Sequence, residues 1–544
     1  MKNTTALTLI ATAVLLAACS KPAETPVASA APAATQAAVP AAPEDHGIAW
    51  KRAVNDADVD AAFTLAKAEK KPVFLYWGAK WCPPCNQLKA TLFNRQDFIE
   101  RSRAFVPVYV DGDSPGAQKL GTRFKVRGYP TMVMFNADGA ELTRLPGEVD
   151  AAQYTEVLTL GMNAQRPLNT VLASARAGGE QAKSLTAADW RLLAFYSWET
   201  DEQQAVPKDQ VPALLKTLAA ACPADQPDTA TRLNLKAIAS GEERKSGPAD
   251  AAAVARVQAV LADAAATRSM MDIVNYSGPD IVKATTAPGT PERAKLVGAF
   301  DSALKRLQAD TSLSRADRVA SLDARIGLVK LDLPKDAKVT LPEALIAEVR
   351  EQAARFDKEI TDGYERQSVV TSSAYVLGQA GLIEESDALL KANLTKSHSP
   401  YYLMSSLASN AKKRGDKAEA LRWSQEAFDK SEGPATRLQW GASYMNTLVE
   451  LAPQEEARIE GAAQQLFKEA AEQPNAFYER SARSLQRVGT RLQEWNKGGA
   501  HQAVLTRLQT QLDGVCAKLP ADDAGRAVCT GLLKPAAAGP KRAA

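Results

Sequence analysis

The chain has 544 residues, with 66 basic and 63 acidic side chains and a formal net charge of +3. So balanced a charge, with no basic run interleaved with aromatics, argues against a nucleic-acid partner. His46, His398 and His501 lie too far apart in sequence to give a metal-ligand spacing, so neither a metal nor any other cofactor is expected.

The N-terminus, MKNTTALTLIATAVLLAACS, sets Lys2 before an apolar run from Ala6 to Leu16 that is too short for a comfortable membrane span. The run ends in Leu16-Ala17-Ala18-Cys19, which resembles the bacterial lipobox. That resemblance implies that residues 1–18 are a signal peptide and that Cys19 is lipidated; ordinary cleavage beside an incidental cysteine is the alternative. With Ser20 in place of an Asp, it further implies the outer membrane of a bacterial cell envelope, with the protein facing the periplasm. Residues 19–46 carry prolines at 22, 26, 32, 40 and 43 in a run of Ala, Thr, Val, Glu and Ser. Such a stretch buries too little apolar surface to fold and reads as a tether. The part beyond it, roughly 500 residues long, has room for two to four domains.

From 47 to 165 helix and strand alternate. "DADVDAAFTLAKAEKK" (56–71) predicts a helix with a basic last turn, stopped by Pro72. "VFLYWG" (73–78) predicts a buried strand, and the segment from Pro84 to about Glu100 a helix with Leu88, Leu92 and Phe93 on one face. "FVPVYVD" (105–111) predicts a strand that Pro107 assigns to a sheet edge. A short helix near 115–125, the strand "TMVMF" (131–135), a turn at 137–139, a strand at 141–145 and a helix from 150 complete the order.

Two motifs stand in this frame: "WCPPC" (81–85) directly after a strand, and "GYPT" (128–131) about 45 residues later. Together they resemble the thioredoxin fold, in the form used for periplasmic thiol-disulfide exchange. A cysteine thiolate is favoured at a helix N-terminus by unpaired N–H groups and the helix dipole, which makes Cys82 the nucleophile. Cys85, one turn on and more buried, resolves the mixed disulfide, so Cys82–Cys85 is the redox pair. By the resemblance Trp81 shields the site, Pro130 is a cis-proline facing the disulfide, and Trp81, Tyr129 and Thr131 contact substrate. Pro83 and Pro84 carry no N–H and so deprive the Cys82 thiolate of donors, which points to a reductase or isomerase over a strong oxidant. Lys80 opposes this weakly from solvent. One departure concerns the buried acid that thioredoxins carry six residues before the first cysteine: here that position is Tyr76. The alternatives for the pair are an inert disulfide or a closed metal site, and no second Cys-x-x-Cys or nearby His supports the latter.

Residues 166–534 show no strand alternation and are rich in good helix formers. Pro and Gly predict breaks near 207, 223–227, 247, 278–279, 288–291, 334 and 399–400. Gly381 and Gly415, 34 residues apart, each separate an apolar helix from an Ala-rich one, a spacing that resembles the tetratricopeptide repeat. The expected fold is thus multidomain: a thioredoxin-like α/β domain (47–165), an α-helical region (166–360), a tetratricopeptide-like region (361–534) and a disordered tail (535–544). Trp423 and Trp440 read as core. A Cys516–Cys529 disulfide would close a small terminal loop and stabilise by about 3 kcal/mol; Cys222 is left as a free thiol or a mixed-disulfide partner. The expected function is a lipid-anchored thiol-disulfide oxidoreductase, with cysteine-containing exported proteins and an unidentified membrane electron donor as partners. The alternative is a scaffold in which the helical array recruits proteins and the α/β domain is accessory.

Overall fold

The computed structural model describes residues 47–534 apart from 148–149, 199, 202–204, 335–339 and 474. The signal peptide, Cys19, the tether and the tail therefore lie outside the described residues.

The first domain is built on strand β2, whose register fixes everything near the cysteines. Five strands, β1 (Lys51–Arg52), β2 (Val73–Gly78), β3 (Val106–Asp111), β4 (Thr131–Phe135) and β5 (Glu141–Leu145), form one sheet in the order β1-β3-β2-β4-β5. The first three strands in that order are parallel, and β4 runs antiparallel to both of its neighbours, β2 and β5. Every residue of β2 is buried. Phe74 and Tyr76 point into the large aromatic core with Phe93 and Phe98, while Val73, Leu75 and Trp77 fill the opposite core with Val59 and Ala66. This is the both-faces-covered environment that a continuous apolar run requires.

Helix α1 (Asp56–Glu69) starts from a capping box between Asn55 and Asp58 and ends at Lys70 in the left-handed conformation. Helix α2 (Pro83–Leu88) continues as a π-helical turn over Lys89–Phe93, and a separate helix α3 (Gln96–Arg101) follows. The single helix expected from 84 to 100 is thus broken at Asn94 and Arg95. Helix α4 (Ala117–Arg123) precedes β4, and α5 (Ala151–Met162) is capped by Asp150.

The edge assignment of Pro107 needs correction, because β3 lies between β1 and β2. Proline is tolerated there because β1 pairs only with Val108 and Tyr109, leaving Pro107 a single neighbouring strand. A buried guanidinium ties this domain to the next: Arg144 pairs with Glu141 and donates to the carbonyls of Phe124, Lys125 and Thr200. Arg144→Met is expected to lower unfolding free energy by about 3–5 kcal/mol, since it takes the guanidinium from a buried carboxylate and leaves the carbonyls of Phe124, Lys125 and Thr200 without that donor. Urea denaturation measures this, and a loss below about 1 kcal/mol would show that Glu141 does not depend on Arg144.

Beyond α5 every regular element is helical among the described residues. Six helices bear on the site: α6 (Met271–Thr285), α7 (Arg315–Val329), α8 (Gly363–Gln379), α9 (Pro400–Arg414), α10 (Pro434–Leu451) and α11 (Glu479–Trp495). Gly381 and Gly415, at φ +83 and +79, turn α8 and α9 back into the helices Ile383–Asn393 and Lys417–Asp429. The break expected at 278–279 does not occur, since α6 runs unbroken through Pro279. Tertiary packing overrides the proline: Gly278 lies against Phe300, and the Pro279 ring sits where a side chain on Gly327 would reach. Cys516 and Cys529 form a disulfide with a Cα–Cα distance of 5.7 Å. Cys222 is a half-buried free thiol whose pKa burial pushes up to about 11.

Candidate active site

Cys82 is the N-cap residue of α2, and the Cys85 N–H donates to its Sγ at 3.3 Å. Pro83 and Pro84 fill the first two helical positions, so neither offers that sulfur a donor. The turn is locked by Asn86, whose buried side-chain amide donates to the carbonyls of Lys80 (2.9 Å) and Cys82 (2.8 Å). Both thiols are free, with Cys82 3% exposed and Cys85 fully buried.

Burial pushes the Cys82 thiol well up, reinforced by its hydrogen bond with Cys85. Burial also opposes a charge on Cys85, but the Cys82 hydrogen bond, a backbone hydrogen bond with Ala79 and the Lys89 ammonium together hold that thiol down. Of the two thiols, Cys82 therefore holds its proton more tightly than Cys85. The helix-terminus argument, taken alone, assigns the thiolate to Cys82; desolvation outweighs it here.

Tyr76 takes the place of the absent acid. Its ring stacks on Tyr109 at 5.2 Å, and its buried hydroxyl fills the space a side chain on Gly78 would need. That hydroxyl meets no partner of ordinary hydrogen-bond geometry, yet it lies close enough to Cys85 to help lower its pKa. Lys80 points away to solvent and pairs with Glu432 at 3.3 Å. The cation that acts on Cys85 is instead Lys89, half-buried in the π-helical turn with its ammonium 5.0 Å from the Tyr364 ring centre.

The Tyr129–Pro130 bond is cis. Thr131 begins β4 and donates to the Gly128 carbonyl at 2.9 Å. Tyr129 stacks loosely on Trp77, and its hydroxyl accepts from Gln118 at 3.3 Å.

The face bearing Trp81 is covered by the helical region. Trp81 Nε1 donates to Thr436 Oγ1 on α10 at 2.7 Å. Its ring stacks on Tyr402 of α9 and meets Trp440 of α10 edge-on, with centroids 5.9 and 6.0 Å away. Arg480, at the start of α11, lies 4.9 Å from the Trp81 ring and 4.8 Å from that of Tyr129, and its charge favours the Cys82 thiolate. The Arg480 N–H donates to Gln118 on α4, while Glu479 beside it adopts φ +41 and accepts from Thr122. Asp113, in the loop after β3, accepts from both the N–H and the hydroxyl of Thr436. The sequence singles out Trp81, Cys82, Cys85, Tyr129, Pro130 and Thr131; it leaves unmarked Lys89, one turn after Cys85, and Asp113, Tyr402, Thr436 and Arg480. Nothing in the sequence marks contacts that span more than 300 residues. Trp440, read as core, is buried, but in this cover.

Residues 59–161 match the family model of a thioredoxin-like domain. The thiol:disulfide interchange protein DsbD of Klebsiella pneumoniae is 32% identical over 120 residues, which are 21% of this chain and 20% of that protein. DsbD 1 of Pseudomonas aeruginosa is 30% identical over 113 residues, 20% of this chain and 19% of that protein. The chain thus spans about a fifth of the length of these curated relatives. Among solved structures, a thioredoxin from Thermus thermophilus is 29% identical and is matched over 83% of its length and 20% of this chain, with a TM-score of 0.18.

Proposed function

We propose that this chain is a thiol-disulfide oxidoreductase that reduces or isomerises disulfides in exported proteins, with Cys82 as nucleophile and Cys85 as resolving thiol. The observation that carries the reading is the pair itself: Cys82 caps α2 and receives the Cys85 N–H, one turn apart. The Cys82 thiolate attacks a substrate disulfide, forming a mixed disulfide and releasing one substrate thiol. Cys85 then attacks the Cys82 sulfur, releasing the second thiol and leaving a Cys82–Cys85 disulfide. Two electrons have passed to the substrate, and a membrane-held reductant restores the dithiol. Because burial disfavours the Cys82 thiolate, Cys82 must lose its proton before it attacks. Loss of the covering side chains during substrate entry would favour this by returning water to the sulfur.

The two prolines withhold donors from the Cys82 thiolate and so favour a mildly reducing pair. For location we propose the periplasmic face of the outer membrane, through a lipid on Cys19. The curated relatives named as interchange proteins support the chemistry over the matched segment.

The test uses single cysteine variants and a disulfide-bonded protein substrate. Cys82→Ser is expected to abolish exchange, and Cys85→Ser to accumulate a mixed disulfide on Cys82, identified by mass spectrometry. Equal trapping by both variants would reverse or erase the assigned order. Failure of the wild-type pair to form a disulfide at any glutathione ratio would sink the oxidoreductase reading. One observation favours the scaffold reading: helices hold Cys82 nearly inaccessible.

A further inference from the structure

The Trp81 face is closed by α9, α10 and α11, but the flank of the redox helix is not. A cleft of about 320 Å³ lies between Pro83 and Pro84 of α2 and side chains of α6, α7, α8 and α9. Its volume is at the small end for a ligand site, which suits a few side chains of an extended segment. Tyr276 and Tyr375 line it at 44% and 56% exposure. They are two of only five large hydrophobic side chains left exposed among the described residues, and the other three line no part of this cleft. Exposed rings gathered at one place mark a contact surface more often than a scatter of single residues does. Tyr402 lines the same cleft, stacks on Trp81 and lies close enough to Cys82 to feel its charge. The cleft therefore lies beside the attacking residue, bounded by Pro83 next to it in the chain and by Tyr402.

Its charge is one-sided. Asp323 of α7 is the only charged side chain in the lining. The carboxylate is half-buried and makes no hydrogen bond or ion pair with a described residue. Burial raises its pKa to about 6, and the one cation that counters this is Lys330. The Lys330 ammonium is itself held by the carbonyl and side-chain oxygens of Gln379. A desolvated carboxylate without a partner gains most from an incoming cation, and exposed tyrosine rings add attraction for the same cation through their faces.

We propose that this cleft docks a cysteine-containing polypeptide segment that carries a lysine or arginine close to its cysteine. The basic side chain meets Asp323 and the rings of Tyr276 and Tyr375, and the cysteine approaches Cys82 past Tyr402. The docking stands on the cleft alone; only the exchange that follows rests on the oxidoreductase reading.

Two short fluorescein-labelled peptides test it, free of cysteine and differing only in one lysine replaced by glutamate. Anisotropy with the full chain is expected to give about tenfold tighter binding of the lysine peptide. Asp323→Asn should bring the two within about twofold, and Asp323→Lys should invert the preference, as the sign of the charge dictates. Tyr375→Ala, at an exposed position where folding is not at stake, should weaken the lysine peptide several-fold. Equal binding of both peptides to the wild-type chain, or a lysine preference that survives Asp323→Lys, overturns the proposal. The same peptides with a cysteine added and linked as disulfides then report exchange. Charge-selective binding without exchange keeps the docking site and removes the oxidoreductase reading. Exchange without charge selectivity does the reverse.

Discussion

Replacing Tyr402 and Trp440 together by alanine is expected to raise the rate at which iodoacetamide alkylates Cys82 by at least about tenfold at neutral pH. Two effects act in the same direction. The rings stack on and abut Trp81, which closes the approach to a sulfur that is 3% exposed. Burial is also the largest cause of the raised Cys82 pKa, so admitting water lowers it, and each unit lowered gives about tenfold more thiolate. Removing two large rings costs about 3–5 kcal/mol each if nothing refills the space, so circular dichroism must confirm that the helical region stays folded. Thr436→Val gives a gentler opening, because it deletes the acceptor for Trp81 and the hydroxyl that Asp113 uses while leaving the rings in place. An alkylation rate unchanged in both variants would show that the helices do not limit access. The companion measurement, reduction of a protein disulfide, separates the two functional readings. Reduction rising with alkylation makes the cover a brake on an oxidoreductase. Alkylation rising while reduction stays absent leaves the helices as a scaffold around an idle pair.

How far the sequence could have foretold this depends on the range of each interaction. The α/β order and the WCPPC and GYPT positions were legible because they rest on local periodicity and on turn chemistry within a few residues. Gly381 and Gly415 were legible as turns for the same reason: each closes a helix in the left-handed region that glycine enters without strain. Pro107 and Pro279 misled, because both were judged by what proline does to an isolated element. In the fold, a two-residue β1 spares the first and close packing of α6 accommodates the second. The raised pKa of Cys82 was illegible for a deeper reason. A helix N-terminus is visible in sequence, but the burial that opposes it includes a face where Tyr402 and Trp440, more than 300 positions away, cover Trp81. Arg480 and Asp113 belong to the same class. Their roles exist only where the helical region meets the first domain.

Asp113→Asn is expected to remove a pH dependence of Cys82 accessibility that the wild-type chain should show between about pH 4 and 7. The N-cap residue of α10 is Gly433, which has no side chain to offer. Asp113 fills that role from the other domain, accepting from the Thr436 N–H at 2.7 Å and from its hydroxyl. The approach is close enough that a side chain on Gly433 would strike the carboxylate. Yet burial, followed by repulsion from Asp111, raises the Asp113 pKa to about 7, against the hydrogen bonds from Thr436 and the charge of Arg480. A carboxyl whose pKa is raised by docking binds a proton more tightly in the docked state. Its contribution to docking is therefore full below its ordinary pKa, near 4, and is lost as pH rises through about 7. The whole shift corresponds to about 4 kcal/mol, and the share due to Asp111 stays within the first domain, so the docking-linked part is smaller. An asparagine caps α10 comparably and cannot ionise, which holds the cover at its low-pH strength throughout. The ratio of wild-type to variant alkylation rates, taken at each pH, cancels the common rise in thiolate. It should climb several-fold between about pH 4 and 7, already exceeding one at pH 5, and level off above pH 7. A ratio flat across that range would mean that Asp113 does not couple protonation to the closing of the site.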